Sequence, residues 1–419
     1  MPDHALDITL VSQCYLPDIT GNAAYAHGLA VALRERGHRV TVLASNMSYA
    51  AGDTNVLKHE IRDRVRVVRL PCGGDGSAAV GGRMIAYASF LFHVARRVAC
   101  GPPSDLVIAV TTPPYVGLVV RWAARWRGAN SAHWVLDCYP DAIAAALGER
   151  RTHSLAWRLV LEVLSRLSRA QWRSGDRLLT LGPAIAKRIS PYRDTTPAWV
   201  PLWADARMVP WSAAEPPKLR RERGWDSEAL VLCYSGNLGR GHRWAEFAIA
   251  AERLGPSGPL WAFVGHGNRR AQLMRWTATH PTARITFSPY APHERLREHL
   301  CSADVHLVSM EPGWEGCIVP SKLQNAFAVG RPMIAVVPDT SEPAQWIRAS
   351  GGGWVVAPGD VDGMVAAVRM AADPAERIRR GNAAADFARR HFSATANLDR
   401  IAHHFVRPGR QPMYSAHPL

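Results

Sequence analysis

The sequence predicts an α/β protein of two tandem doubly wound parallel sheets, Rossmann-like domains facing each other across a cleft. Three observations carry that reading. The chain has 419 residues, enough for two domains with a core each. Short apolar strands alternate with amphipathic helices through two separate series. Between the series, Pro191, Pro197, Pro201, Pro210, Pro216 and Pro217 crowd a stretch of little periodicity, which marks a linker or hinge. The predicted borders are 1–200 for the first domain, 201–217 for the linker and 218–385 for the second domain. A helical region at 386–406 is expected to return to the first domain, and 407–419 to be a disordered tail.

The first series opens with a strand at Asp7 to Ser12, a loop holding Pro17, Asp18 and Gly21, and a helix from Ala23 to Arg36 that Gly37 stops. With the strand His38 to Ala44 this makes a βαβ unit, which implies a parallel sheet covered on both faces. Strands follow at Val65 to Leu70, Asp105 to Val110, Ser131 to Leu136 and Arg177 to Leu181, with helices within 81–100, over Tyr115 to Arg127 and from about His153 to Arg173. The second series has strands at Ala229 to Ser235, Leu260 to Val264, Arg284 to Phe287, Val305 to Ser309, Pro332 to Val337 and Gly353 to Pro358. Its helices run over Trp244 to Leu254, Pro292 to Cys301, from Lys322 towards Gly330, over Val361 to Ala371 and over Ala375 to Arg390.

Composition narrows the function classes. No apolar run reaches the roughly 18 residues of a membrane span. The N-terminus has no basic and apolar leader pattern, so a cytoplasmic protein is expected. Seven scattered cysteines without a C-x-x-C spacing argue for reduced thiols and against a zinc site. A net charge of +15 suits phosphate-bearing ligands or an anionic membrane surface. Nucleic acid is not expected, because the arginines fall on many elements without interleaved aromatics.

Four segments carry chemistry. Gly21, followed by Asn22, lies at a strand-to-helix turn and lets backbone N–H groups approach a ligand, or is simply a turn glycine. Ser235 to Arg243 places Gly236, Asn237, Gly239, Arg240, Gly241, His242 and Arg243 between a strand and a helix, a pattern of backbone donors and guanidinium forks that matches phosphate oxygens. Asp137, at the carboxyl end of a strand, either orients a hydroxyl or caps a turn, and His133 within that strand reads as a core histidine. Lysine is scarce, with Lys58, Lys187, Lys218 and Lys322 alone, and Pro320-Ser321-Lys322 sets one of them at a helix start, where an anion binds well or where a lysine is merely solvated.

In order, these segments, with Arg36-Gly37-His38-Arg39-Val40-Thr41-Val42, Val264-Gly265-His266-Gly267 and Ala328-Val329-Gly330-Arg331-Pro332, make the chain from about residue 7 to residue 395 resemble the GT-B glycosyltransferases of family 4. The likeness is strongest to the branch that builds bacterial surface polysaccharides from N-acetylated hexosamines. It implies a retaining, metal-independent transfer from a nucleoside diphosphate sugar, most often a UDP-sugar, to an acceptor hydroxyl, with no cofactor. It places the donor in the second domain and the acceptor, a glycan or a small molecule, in the first. The diphosphate would meet Gly236, Asn237, Arg240 and Lys322, with Gly21 closing over it; Asn22, Gly239 and His242 are further substrate-binding candidates, and Asp137 would orient a hydroxyl. Gly265, His266, Glu315, Gly316, Cys317, Ser321 and Asn325 would complete the donor site.

One departure concerns the glutamate pair, spaced E-x7-E, that this family usually carries. Glu315 can stand for the first, but the residue five before Gly330 is Asn325, a weaker partner for a ribose diol than a carboxylate. The segment Arg83 to Arg97, apolar and flanked by arginines, is either a core helix or a contact to the inner membrane leaflet for a lipid-linked acceptor. A natural-product glycosyltransferase with a soluble acceptor, and a GT-B sugar-nucleotide epimerase, are the alternatives.

Overall fold

A computed structural model describes residues 4–18, 21–47, 57–73, 80–148, 152, 154–173, 177–210 and 217–406. The chain divides into two compact units, the first running to Val200 and resuming at Leu398, the second running from Pro201 to Asn397. The tail expected at 407–419 lies outside the described residues.

The first unit is built on eight strands: β1 (Asp7–Val11), β2 (Arg39–Ser45), β3 (His59–Arg62), β4 (Val65–Leu70), β5 (Leu106–Val110), β6 (Asn130–Trp134), β7 (Arg177–Thr180) and β8 (Ala198–Trp199). Their order is β3-β4-β2-β1-β5-β6-β7-β8, parallel throughout except for the antiparallel pair β3 and β4. Central β5, Leu-Val-Ile-Ala-Val, is buried at every position, as a strand covered on both faces must be. Strand β3 was not expected from the sequence. Its four residues, His-Glu-Ile-Arg, lie at the sheet edge and carry too little apolar character to signal a strand.

The second unit has six parallel strands, β9 (Val231–Ser235), β10 (Leu260–Val264), β11 (Ile285–Ser288), β12 (Val305–Ser309), β13 (Met333–Val336) and β14 (Gly353–Val356), in the order β11-β10-β9-β12-β13-β14. On one side of this sheet Phe247, Trp261, Phe263 and Tyr234 form an aromatic core beneath β9 and β10. On the other, Phe327, Phe387, Phe392 and Trp346 lock the helix Lys322–Ala328 against the helix Pro374–His391. Helix starts at Ser341, Asp360 and Asp373 are capped by those side chains, which accept the N–H groups of Ala344, Gly363 and Ala375.

The proline-rich stretch is not a bare linker. Leu202, Trp203, Ala204 and Met208 are buried, and Ala204 N–H donates to the Phe392 carbonyl at 2.9 Å, so the chain joins the second unit as soon as it leaves β8. Positions 211–216 lie outside the described residues. The helices Asp141–Leu147, Lys218–Glu222 and Glu342–Ser350 were also unforeseen, being short or lacking a clear apolar period. The last helix, Ala394–Val406, begins in the second unit and continues in the first from Leu398. There the Arg177 guanidinium donates to the Phe405 carbonyl, and His404 Nε2 lies 3.3 Å from the Leu178 oxygen.

Phe247→Ala removes a side chain that is 1 % exposed and touches three aromatic rings, so it should lower the stability of the second unit by about 3–5 kcal/mol. Denaturant unfolding followed by tryptophan fluorescence would measure the shift.

Candidate functional site

Two loops at the carboxyl ends of β9 and β10 lie backbone against backbone. Gly236 N–H donates to the Val264 carbonyl at 2.8 Å, and Leu238 N–H donates to the His266 carbonyl at 2.8 Å. The loop after β10 requires glycine at both contacts. A Cβ on Gly265 (φ +126°) would sit 2.5 Å from the Gly236 oxygen, and one on Gly267 (φ +133°) would sit 2.3 Å from the Leu238 oxygen. Gly241 is pressed against the Trp314 ring, with room for no Cβ beyond 3.0 Å.

Lys322 enters this arrangement from the first turn of its helix. Its stem crosses Gly236, where a Cβ would meet the lysine Cε at 3.0 Å, and its ammonium stands 5.0 Å from the centroid of the Tyr234 ring. Nζ ends 3.4 Å from His242 Nε2. The other ring nitrogen, Nδ1, is 2.6 Å from the Ser309 carbonyl oxygen, which can only accept, so Nδ1 holds the proton and Nε2 offers its lone pair to the ammonium. Burial, then the charge of Lys322, brings the His242 pKa down to about 3, and desolvation brings Lys322 down to about 8. The helix itself has seven residues, and its Ser321 cap makes no side-chain bond to it, so a dipole of two turns adds little; the ammonium is the chief positive group.

The loop arginines divide. Arg243 is committed to two carboxylates, Glu246 at 2.7 Å and Glu311 at 2.6 Å, and Arg269 shares Glu311 with it. Arg240 is exposed and has no ion-pair partner among the described residues, so it is the loop guanidinium open to an anion. Asn237 and His266 are exposed nearby, and His266 meets Tyr290 edge-on at 5.1 Å. Gly239 packs against the Asn237 amide, 3.2 Å from its expected Cβ. Glu311, Tyr234 and Tyr290 were not singled out from the sequence. Glu246, three residues after Arg243, could have been found by helical spacing, whereas Glu311 is remote in sequence.

Glu315 accepts the Gly313 N–H at 2.8 Å and opens the turn holding Gly316 (φ +67°) and the buried Cys317. Counted eight residues on from Glu315, the partner of an E-x7-E pair would be Leu323, which is fully buried in the core. Asn325 lies two residues later, and its Oδ1 accepts the Asp205 N–H at 2.9 Å. Its oxygen therefore holds the incoming chain in place, and the Nδ2 donor is what it can offer a ligand.

In the first unit Gly21 opens the helix Gly21–Glu35, and Asn22 Nδ2 donates to Thr112 Oγ1 at 3.3 Å. Thr112 itself has φ 103°, a conformation rare for a β-branched residue. Asp137 follows β6, and burial pushes its carboxyl up to about 6. His133 is indeed packed inside, its ring against Gly117, and its pKa falls to about 3. A relay that the sequence did not suggest supports the loop after β1: the buried Tyr15 hydroxyl meets His27 Nδ1 at 2.9 Å, and His27 Nε2 meets Asp63 at 3.0 Å. A cavity of about 720 Å³ in the first unit opens beside His27, Gly28, Glu35 and Arg64. Among the described residues, no group of three or more His, Cys, Asp and Glu side chains could hold a metal ion.

Two family models match the chain, the Glycosyl transferase 4-like domain over residues 20–203 and Glycosyl transferases group 1 over residues 230–373. WcaI of Escherichia coli (strain K12), provisionally named a colanic acid biosynthesis glycosyl transferase, is 24% identical over 373 residues, 85% of this chain and 90% of that protein. Among solved structures, sucrose-phosphate synthase from Thermosynechococcus elongatus superposes with a TM-score of 0.75 at 17% identity, over 94% of this chain and 97% of that one. Anabaena HepE in complex with UDP-glucose gives 0.70 at 14% identity, over 95% and 98%. Both likenesses are of fold.

Gly236→Ala should cost the second unit about 1–3 kcal/mol, because φ +125° disfavours an L side chain and the new Cβ meets Lys322. Denaturant unfolding would measure the loss.

Proposed function

The chain belongs to the GT-B glycosyltransferases, with a glycosyl transferase 4-like domain followed by a group 1 domain, and on that premise we propose a retaining, metal-independent transfer from a UDP-hexose or UDP-N-acetylhexosamine to a hydroxyl of a lipid-linked glycan. The observation that carries this reading is Lys322, drawn across Gly236 and held between Tyr234 and His242, a cation fixed before any ligand arrives. HepE, solved with UDP-glucose, supports the uridine donor, and WcaI, named for colanic acid, supports a polysaccharide product.

In this reading Lys322 and Arg240, with the backbone of Gly236, Asn237 and Gly239 and the His242 that steadies the lysine, take the diphosphate. Gly265 and His266 lie on its nucleoside side, while Glu315, Gly316, Cys317, Ser321 and the Asn325 amide hold sugar and ribose hydroxyls. In the first unit Gly21 and Asn22 lie at the ligand-facing turn, and Asp137 orients the acceptor hydroxyl. The bond from the sugar C1 to the phosphate oxygen breaks, the acceptor oxygen bonds C1 on the same face, and its proton passes to the departing phosphate oxygen. Negative charge grows on the diphosphate as that bond lengthens, so a cation fixed there favours the transition state over the bound substrate.

Lys322→Ala and Arg240→Ala should each lower turnover by about 10²-fold or more with unchanged melting of the protein alone. UDP at about 100 times its Kd should raise stability by about 2.7 kcal/mol, and a panel of nucleotides in the same assay checks the base. No response to any UDP compound would remove the donor assignment, and release of an altered UDP-sugar without acceptor would replace transfer by epimerisation.

Lys322 has its pKa brought down to about 8, and a bound diphosphate favours its charged form. UDP binding at pH 8 should therefore take up protons, and affinity should fall as pH rises through 8. Calorimetry in buffers of different ionisation enthalpy reads this uptake, which should vanish in Lys322→Met.

A further inference from the structure

The helix Leu155–Arg173 buries Trp172 at its end yet leaves an apolar stripe uncovered. Its buried positions include Ser168 and Gln171, which bond to the first unit: the Ser168 hydroxyl donates to the Tyr139 carbonyl, and Gln171 Oε1 accepts the Leu118 N–H at 3.1 Å. Leu155, Leu159, Val163 and Leu167, spaced by four, face outward instead, Leu155 with 71% of its surface exposed. All residues from Ser154 to Val160 are exposed, so these two turns have little packing within the chain. An apolar stripe left in water works against folding and solubility, and its retention points to something that covers it.

The neighbouring helices continue the surface. Val116–Trp126 packs against both Val80–Cys100 and Leu155–Arg173. It buries Val116, Val120, Ala123 and Ala124 and presents Trp122 and Trp126 outward, Trp126 with 75% exposed. Phe92 is exposed on the first of the three. In chain order these helices carry three, two and four arginines against one acidic residue, Glu162, which is already paired with Arg166 and Arg169.

We propose that this three-helix face docks on an anionic lipid bilayer, with the leucine stripe and the two tryptophans in the interface and the arginines among the headgroups. Charge selects this occupant. A second copy of the same face would set basic against basic, whereas anionic lipid complements it, and tryptophan and arginine suit the boundary between headgroup and acyl chain. The proposal rests on the lipid-linked acceptor of the reading above, and it moves the contact from the Arg83 to Arg97 segment alone to a surface dominated by Leu155–Arg173. No described helix is long and apolar enough to cross a membrane, so the contact is superficial.

The test is sedimentation of the full chain with vesicles of equal parts phosphatidylglycerol and phosphatidylcholine, and with phosphatidylcholine alone. Wild type should bind the anionic vesicles, and Leu159→Glu with Val163→Glu should weaken that binding by about tenfold or more at unchanged melting temperature. Arg158→Gln with Arg166→Gln should reduce it in a salt-dependent way. A wild type that stays in solution, a double glutamate variant that binds like wild type, or a lipid-free dimer that this variant dissolves would each overturn the proposal. A UDP thermal shift on the same samples separates the two readings: UDP binding without vesicle binding removes the docking face alone, and vesicle binding without UDP binding removes the donor reading alone.

Discussion

Two backbones of the second unit approach so closely that the loop after β10 accepts no Cβ at either point of contact. The Gly236 carbonyl lies where a Gly265 side chain would begin, and the Leu238 carbonyl where a Gly267 side chain would begin. The Lys322 stem passes over Gly236, where a Cβ would meet its Cε at 3.0 Å. The position of the Lys322 ammonium follows from this clearance. The ammonium has one place to end, over the Tyr234 ring and against His242, and the histidine has one tautomer because its other nitrogen is tied to the Ser309 carbonyl. A fixed, partly desolvated cation pays little reorganisation when an anion arrives, which is how preorganised sites differ from solvated lysines.

The alternation of strands and helices was legible because fully buried parallel strands are near-continuous apolar runs, as in Leu106–Val110 and Leu260–Val264. The glycine loop and Lys322 were legible as well, since each glycine there stands where a strand ends and a helix follows. Other features were hidden for physical reasons. The edge strand His59–Arg62 is charged and half exposed, so it lacks the signal that burial imposes. Arg243 looks like Arg240 in the sequence, and only the carboxylates of Glu246 and Glu311, one of them distant in sequence, spend its charge internally. The sequence sets Asn325 where a ribose-gripping glutamate is expected, and only the fold shows that its oxygen accepts the Asp205 N–H, leaving the Nδ2 donor for a ligand. Periodicity finds an apolar face and does not say whether anything covers it, so the exposed stripe of Leu155–Arg173 is visible only in the fold.

The two units differ in how far their arginines are paired, while desolvation tunes titratable groups in both. In the second, Arg243 and Arg269 beside the glycine loops are paired with Glu311, whereas Lys322 and Arg240 have no ion-pair partner among the described residues. In the first, the arginines on the outer helices are scarcely balanced, and the titratable groups near the strand ends are tuned by desolvation: Asp137 upward, His133 downward. Tyr15, His27 and Asp63 form a chain of hydrogen bonds that ties the loop after β1 to the β3–β4 turn. A short edge hairpin thus steadies the turn that carries Gly21.

The way the units divide the chain bears on how such proteins can be recombined. The second unit begins at Pro201, well before the end of the proline-rich stretch, and yields to the first at Leu398, inside the helix Ala394–Val406. Trp203 and Ala204 are part of its core, and Asp205 is held by Asn325 on the helix of Lys322. A hybrid joined within 201–217 would graft foreign residues beneath that helix, and one ending at 385 would lose Phe387 and Phe392 from the aromatic cluster around Phe327. The seams that leave each core whole are Val200–Pro201 and Asn397–Leu398, the second of which asks two parents to share one continuous helix.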